Sequence, residues 1–225
     1  MKAALSIVIP ALNEAAGIAA SLQALQTLRG RGVELILVDG GSADDTVERA
    51  RPWADIVITA ARGRALQMNA GAARSQGEVL LFLHADTELP PAADQLILSA
   101  IEAGASWGRF DVHISGAARL LRVVALMMNW RSRLSGIATG DQAMFVRREV
   151  FERLGGFPAQ PLMEDVELSK RLGRLARPAC LRAKVRTSGR RWESRGLWRT
   201  IWLMWSLRWR YWRGEPAESL ARAYR

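Results

Sequence analysis

Three short polar segments stand out in this chain of 225 residues: Pro10-Ala-Leu-Asn-Glu14, Asp39-Gly-Gly-Ser42 and His84-Ala-Asp-Thr87. Each follows an apolar run. Each offers carboxylate, hydroxyl or imidazole groups, which accept hydrogen bonds, hold hard cations or move protons. One such segment is ordinary turn chemistry. Three at successive strand ends predict a shared ligand site, because parallel sheets bind ligands beyond the carboxyl ends of their strands. The remaining composition narrows the chemistry. A single cysteine, Cys180, excludes a disulfide framework or a multi-thiolate zinc site, and two histidines, His84 and His113, exclude a histidine cage.

Charge points the same way. The net charge is +10, yet residues 1–112 carry 9 basic and 13 acidic side chains, whereas residues 113–225 carry 23 and 9. Nearly all the basic groups are arginine, whose planar fork matches phosphate oxygens. A second half of this kind suits phosphates, nucleic acid or an anionic membrane, although a high-GC genome inflates arginine as well.

The elements that must carry these groups are legible mainly in the first half. Ala4–Ile9, Val33–Val38 and Glu78–Leu83 are short continuous apolar runs, as in strands covered on both faces. Asp55–Thr59 reads as a shorter strand. Helical spacing runs over Glu14–Leu28 and Ala65–Ser75, and Asp44-Asp45-Thr46 opens another helix. This rhythm predicts an α/β domain with a parallel, doubly covered sheet. Further on, Gly108–Ile114 and Gly140–Val146 read as strands; Ala117–Trp130, Glu149–Leu154 and Met163–Leu175 read as helices. Residues 1–195 would form one domain and 196–225 a Trp/Arg-rich helical tail. No apolar run reaches the roughly 20 residues of a membrane-spanning helix, and the start reads as a buried strand rather than a signal peptide. A cytoplasmic protein is expected.

Taken jointly, the motifs resemble the family-2 glycosyltransferases of GT-A fold, a Rossmann-like, mostly parallel sheet covered by helices. The resemblance rests on Val8-Ile-Pro-Ala-Leu-Asn-Glu14, Val38-Asp-Gly-Gly-Ser-Ala-Asp-Asp-Thr46 and Gly63-Arg-Ala-Leu-Gln-Met-Asn-Ala-Gly71. Phe82-Leu-His-Ala-Asp86, Gly155-Gly-Phe157 and Met163-Glu-Asp165 extend it, so that it covers roughly residues 4–190. Details such as Thr139-Gly-Asp-Gln142 and Ser188-Gly-Arg-Arg-Trp192 look closest to a small bacterial subgroup named for association with radical-SAM and selenium proteins and for arsenosugar biosynthesis.

The resemblance implies an inverting, hexosyl-type transferase that moves a sugar from a nucleotide-sugar, a UDP-sugar above others, to an acceptor hydroxyl. Asp39 would accept the imide N–H of uracil, unless its carboxylate only shapes its turn. Pro10, Ala11, Asn13 and Glu14 would flank the nucleoside, with Gly41, Ser42, Gly63, Gln67 and Ala85 lining the donor. Glu14 is equally explained by a helix first turn. Arg64 would reach the diphosphate or the base. Asp86 would hold Mn²⁺ or Mg²⁺, which take hard oxygen ligands. Many family members carry Asp-x-Asp where this chain has His84-Ala85-Asp86, so His84 is a second candidate for the metal or for the ribose. Asp165 would be the general base, with Glu164 and Asp141 as alternatives, although a helix start also explains Glu164-Asp165. Arg190-Arg191-Trp192 resembles part of the Gln-x-x-Arg-Trp signature of processive polymerases, with Ser188 at the glutamine position.

Two other classes compete. A nucleotidyltransferase normally opens with a Gly-rich basic loop after the first strand, which Pro10–Ala16 lacks. A non-catalytic basic module would need no acidic pairs at strand ends, so nucleic acid is not an expected partner. The tail adds one more feature. Trp198, Trp202, Trp205, Trp209 and Trp212 fall at steps of four and three, a single stripe on a helix. That stripe packs on its own domain, on a second copy as a homodimer, or on an anionic membrane surface. The sugar and the acceptor are not encoded in any motif.

Overall fold

The computed structural model describes residues 3–190 and 196–224. Its strands form one eight-stranded sheet, ordered β3-β2-β1-β4-β7-β6-β8-β5. In chain order these are β1 Leu5–Ala11, β2 Glu34–Asp39, β3 Ile56–Thr59, β4 Val79–Phe82, β5 Thr87–Glu88, β6 Trp107–Ser115, β7 Met144–Arg147 and β8 Ala179–Ser188. The helices are α1 Ile18–Gln23, α2 Gln26–Arg29, α3 Thr46–Ala50, α4 Arg64–Arg74, α5 Ala93–Glu102, α6 Leu120–Ser135, α7 Arg148–Arg153, α8 Glu164–Gly173, α9 Leu197–Trp212 and α10 Ala217–Tyr224.

Alternation along the strands builds two apolar layers. Leu5, Ile7 and Ile9 of β1 join Leu35, Leu37 and Leu81 on one face, beneath α1, α2 and α5. Val8 joins Ile36, Val38, Leu80 and Phe82 on the other, beneath α4. This double burial is why the first strands read as unbroken apolar runs. Gly71 lets α4 lie directly on the sheet, since a Cβ there would come within 2.4 Å of Val8 Cγ1 and 2.8 Å of Val38 Cγ2.

β1 pairs in parallel with β2 on one side and β4 on the other, and β2 pairs in parallel with β3. The crossovers therefore diverge at β1, which opens a crevice at the carboxyl ends of β1 and β4. Beyond β4 the mostly parallel sheet takes in antiparallel pairs. β7 runs antiparallel to both β4 and β6, and β5 antiparallel to β8, so the second half of the sheet is mixed.

Other expectations shift locally. The helix expected over Glu14–Leu28 divides into α1 and α2, because the Leu25 N–H donates to Leu22 O three residues back rather than four. The strand expected over Gly140–Val146 begins only at Met144. A 3₁₀ turn, Gly140–Gln142, precedes it, and Ala143 leaves that turn at φ 46°. Cys180 is half-buried on β8.

The tail does not hang free. Leu207 and Leu220 are buried against Leu162, Met163 and Val166 at the start of α8, with Leu203 and Tyr211 beside them. Tyr211 donates its hydroxyl to Glu167 Oε2 at 3.2 Å, and Lys170 Nζ lies 4.5 Å from its ring centroid. Packing of the tryptophan stripe on its own domain is thereby overturned. The opposite face of α9 packs, and all five indoles remain 56–77 % exposed.

Candidate active site

The loops after β1 and β2 are laced together. Asn13, at φ 54°, accepts the Ala43 N–H on Oδ1 at 2.9 Å, while its own N–H donates to Ser42 Oγ at 2.9 Å. The Glu14 N–H donates to Thr46 Oγ1 at 2.8 Å. From α4, buried Gln67 donates through Nε2 to Ala11 O at 2.9 Å and Val38 O at 2.8 Å, pinning the two strand ends. A cavity of about 500 Å³ opens beside this corner. Its walls come from Pro10, Ala11, Leu12 and Glu14, from the start of α4, from His84–Asp86, from the 3₁₀ turn, from the start of α8 and from α9.

Arg64, the first residue of α4, is the electrostatic hub. Its Nε lies 3.1 Å from Glu164 Oε1. Burial disfavours its charge, but Glu164, Asp165, Asp141 and Asp86 together outweigh that and hold its pKa above the ordinary arginine value. Glu164 is buried, and burial followed by the Asp165 charge pushes its carboxyl above the usual range, with Arg64 opposing. Asp165 accepts the Gly140 N–H on Oδ2 at 2.8 Å and the Val166 N–H on Oδ1 at 2.7 Å. Asp141 Oδ1 lies 3.4 Å from His84 Nδ1. Burial works against the Asp141 charge, yet the His84 hydrogen bond and charge, with Arg64 and Arg208 beyond, hold that carboxyl below the usual range. Asp86 is exposed at the cavity wall.

Most of the residues singled out from sequence meet here. Pro10, Ala11, Glu14, Gly63, Arg64 and Gln67 line one side; His84, Ala85, Asp86, Asp141 and Asp165 line the rest. Others stand back from the lining. Asp39 is buried, and its Oδ2 accepts the Gly41 and Ser42 N–H groups at 2.8 and 2.9 Å while the Ser42 hydroxyl bonds Oδ1. The turn role for Asp39 is thus present in full. Asn13, Gly41 and Ser42 support the same turn, and Glu164 sits behind Arg64. Arg190 Nη2 lies 3.8 Å from Glu14 Oε2, at the surface. Burial raises the Glu14 pKa, with Arg190 lowering it and Asp86 and Asp44 adding to the rise. Arg191 and Trp192 lie outside the described residues. His113 is exposed on β6, away from the lining.

Sequence reasoning missed the contribution of the tail. Thr200, Met204 and Arg208 of α9 and Tyr224 of α10 line the cavity. The signal was available: residues 200, 204 and 208 form a four-residue stripe opposite the tryptophans.

A divalent cation fits this donor set in one way. Among the described residues no three His, Cys, Asp or Glu groups cluster as a self-contained cage. Asp86 offers an exposed hard oxygen at the cavity wall, as suits Mg²⁺ or Mn²⁺ taking its other ligands from phosphate and water. His84 is a poorer donor, because Nδ1 faces Asp141 and Nε2 abuts the Gly140 backbone, where a Cβ would come within 2.3 Å of it.

Comparison with known proteins decides the family. Residues 6–155 match the profile of Glycosyl transferase family 2. The chain belongs to that family. This family-2 glycosyltransferase is 31 % identical over 194 residues to "Probable glycosyltransferase YdaM" of Bacillus subtilis, covering 74 % of this chain and 46 % of the relative. The chain thus spans about half the length of the curated relatives it matches. Its fold resembles S. aureus TarS 1-349 in complex with UDP-GlcNAc, at TM-score 0.65 and 19 % identity over 84 % of this chain and 58 % of that one. It also resembles the mannosyltransferase PcManGT from Pyrobaculum calidifontis in complex with GDP-Man and Mn²⁺, at TM-score 0.61 and 21 % identity over 83 % and 57 %. The fold of this family-2 glycosyltransferase is the GT-A arrangement of sheet and helices. Glu164, Asp165 and the tail lie beyond the stretch matched by the family profile.

Proposed function

We propose that this chain transfers a hexosyl unit from a UDP-sugar to an acceptor hydroxyl, with inversion, in the cavity beside β1 and β4. The observation that carries this reading is the convergence of Asp86, Arg64, Asp141 and Asp165 on one cavity from four separate segments. Asp165 takes the proton from the acceptor hydroxyl as its oxygen attacks the anomeric carbon. The bond from that carbon to the donor phosphate breaks, and its electron pair leaves with UDP. Attack opposite the leaving group inverts the centre. Arg64 and Asp141 form the charged wall along which the donor lies, and Glu164 positions Arg64. Asp86 would hold Mn²⁺ or Mg²⁺, which supplies charge neutralisation for the departing diphosphate when bound with the donor. The preference for UDP rests on the family resemblance at Asp39, whose carboxylate here is buried behind the lining and engaged in its own turn. We assign the chain to the radical-SAM-associated, arsenosugar-type subgroup on Thr139-Gly-Asp-Gln142 and the other motifs of that resemblance. The test is thermal melting with nucleotides. UDP with Mn²⁺ should raise Tm more than GDP or CDP does, and a chelator should remove the effect. Stabilisation by single-stranded nucleic acid instead would refute the reading.

The tail supports a second element of the proposal, peripheral association with an anionic membrane. No helix among the described residues is long and apolar enough to cross one. The exposed indoles of α9 are flanked by Arg199 and Arg213, and Arg213 stacks 5.0 Å from the Trp209 ring centroid. A second exposed stripe runs along α6 through Val123, Leu126, Met127, Trp130 and Leu134. Arg119, Arg122 and Arg133 are set on or beside α6. Apolar and indole faces rimmed by arginine match the interfacial region of an anionic bilayer. Trp202→Ser with Trp209→Ser should weaken co-sedimentation with anionic vesicles at low salt by at least ~10-fold. Indifference of the wild-type chain to those vesicles, with a dimer that the same substitutions dissolve, would assign the stripes to a second copy.

A further inference from the structure

Two arginines near the cavity have no role in the reaction described above. Arg208 projects from α9 into the cavity, and its Nε is buried without a hydrogen-bond partner. Arg131 projects from α6, and its Nε and Nη2 are likewise buried without partners. Among the described residues, no carboxylate lies within ion-pair distance of either guanidinium. Asp111, the buried carboxylate of β6, is already bound by Arg109 and by Arg133 Nη2, the latter at 2.6 Å. Burial and then the charge of Arg208 push the Arg131 pKa down to about 10, with Asp165 opposing. Burial also lowers that of Arg208 against the pull of Asp165 and Asp141.

Buried cations with unmet donors and a like charge alongside are costly, and proteins seldom keep them without an anion to bind. The position of the pair says which anion. Both guanidiniums feel Asp165, the group assigned to the acceptor proton. Asp86, assigned to the metal and the diphosphate, acts on Arg64 and Glu14, although Arg64 feels Asp165 and Asp141 as well. Arg208 shares the cavity wall with Asp165 at the start of α8, the side that the reaction above gives to the acceptor, whereas Arg131 is buried next to that wall without being part of the lining. Guanidinium forks match the oxygens of a phosphate group. We propose that Arg131 and Arg208 form a phosphate subsite beside Asp165, so that the acceptor is a hydroxyl compound carrying a phosphate. This rests on the assignment of Asp165 to the acceptor side. A soluble phosphate ester and a lipid headgroup share this chemistry, and α9 serves either, since it faces the cavity through Arg208 and solvent through its tryptophans.

The experiment is thermal melting and equilibrium binding on the full chain, with inorganic phosphate at constant ionic strength as the first probe. Wild type should gain roughly 3 °C at about ten times Kd. Arg208→Gln and Arg131→Gln should lose that gain, while UDP with Mn²⁺ still binds within about twofold of wild type. Without phosphate, Arg131→Gln should melt no lower than wild type, because it removes an unpaired buried cation; a purely structural arginine would cost stability. Equal loss of UDP and phosphate binding in Arg208→Gln would mean that the pair holds the donor diphosphate, and the proposal falls. A phosphate response in wild type that survives both substitutions also overturns it. Should wild type bind no UDP yet keep an Arg208-dependent phosphate response, the proposed donor chemistry fails and the subsite stands. Displacement of phosphate by glycerol 3-phosphate assigns a soluble acceptor, and displacement only by phosphatidic acid vesicles a lipid one. Displacement by neither contradicts an acceptor role.

Discussion

Asp86→Ala is expected to lower turnover by roughly 10³-fold, the scale of the several kcal/mol of charge stabilisation that a catalytic metal supplies. Binding of UDP should lose its dependence on Mn²⁺ in the same variant. The fold should survive, because Asp86 is exposed at the end of a short segment after β4. Substitutions at such positions shift stability by about 0.5 kcal/mol or less. The two readouts separate a ligand from a structural residue. Strong Mn²⁺-dependent UDP binding by Asp86→Ala would mean that the metal is held elsewhere.

Asp165→Asn should keep donor binding and lose transfer by a factor of about 10² or more, the usual scale for removing a general base. The substitution is conservative in this structure. An amide oxygen can still accept the Gly140 N–H that Asp165 Oδ2 now accepts at 2.8 Å, while the Val166 N–H, now donating to Oδ1 at 2.7 Å, loses its side-chain acceptor within the first turn of α8. The 3₁₀ turn should therefore stay in place, and a loss of rate would report on proton transfer rather than on a displaced loop. Wild-type turnover in Asp165→Asn would pass the role to Asp141, which lines the same cavity.

How far the site was legible follows from burial and sequence distance. β1, β2 and β4 announced themselves because both faces are buried, which forces continuous apolar runs. Their carboxyl ends carry Pro10–Glu14 and His84–Asp86, so the cavity corner came with them. Asp39 shows the limit of a motif. The same three side-chain contacts that make it a turn former leave its availability to a base invisible in sequence. β8 was hidden because Arg182, Lys184 and Arg186 alternate along it as in a solvated segment, yet it pairs with β6 from Ala179 to Ser188. α5 was not anticipated: it begins just after Pro90-Pro91, and its helical pattern spans only ten residues. The 3₁₀ turn at Gly140–Gln142 depends on a hydrogen bond from Gly140 to Asp165, twenty-five positions away. No local pattern encodes such a contact.

The tail gives the sharpest contrast between pattern and meaning. Its tryptophan spacing was plain, and the expectation that an apolar stripe packs on its own domain was reasonable. In α9 the buried stripe is the quieter one, Leu203, Leu207 and Tyr211, with Thr200, Met204 and Arg208 turned to the cavity. Five indoles drew attention away from the face that holds the helix down. Hydrophobicity alone does not choose the buried face when the partner surface, here Leu162, Met163 and Val166, arrives from a distant segment.

The central claim is that this cavity cleaves a nucleotide-sugar with the help of a divalent metal. Its most direct test is the hydrolysis of UDP-, GDP- and CDP-sugars by the wild-type chain, followed as nucleotide release with Mn²⁺ and with excess chelator. The account predicts UDP release from at least one UDP-sugar, abolished by the chelator, with the freed sugar of inverted anomeric configuration. Folded protein that cleaves none of these donors in the presence of Mn²⁺, or cleaves them equally with the chelator, would contradict it.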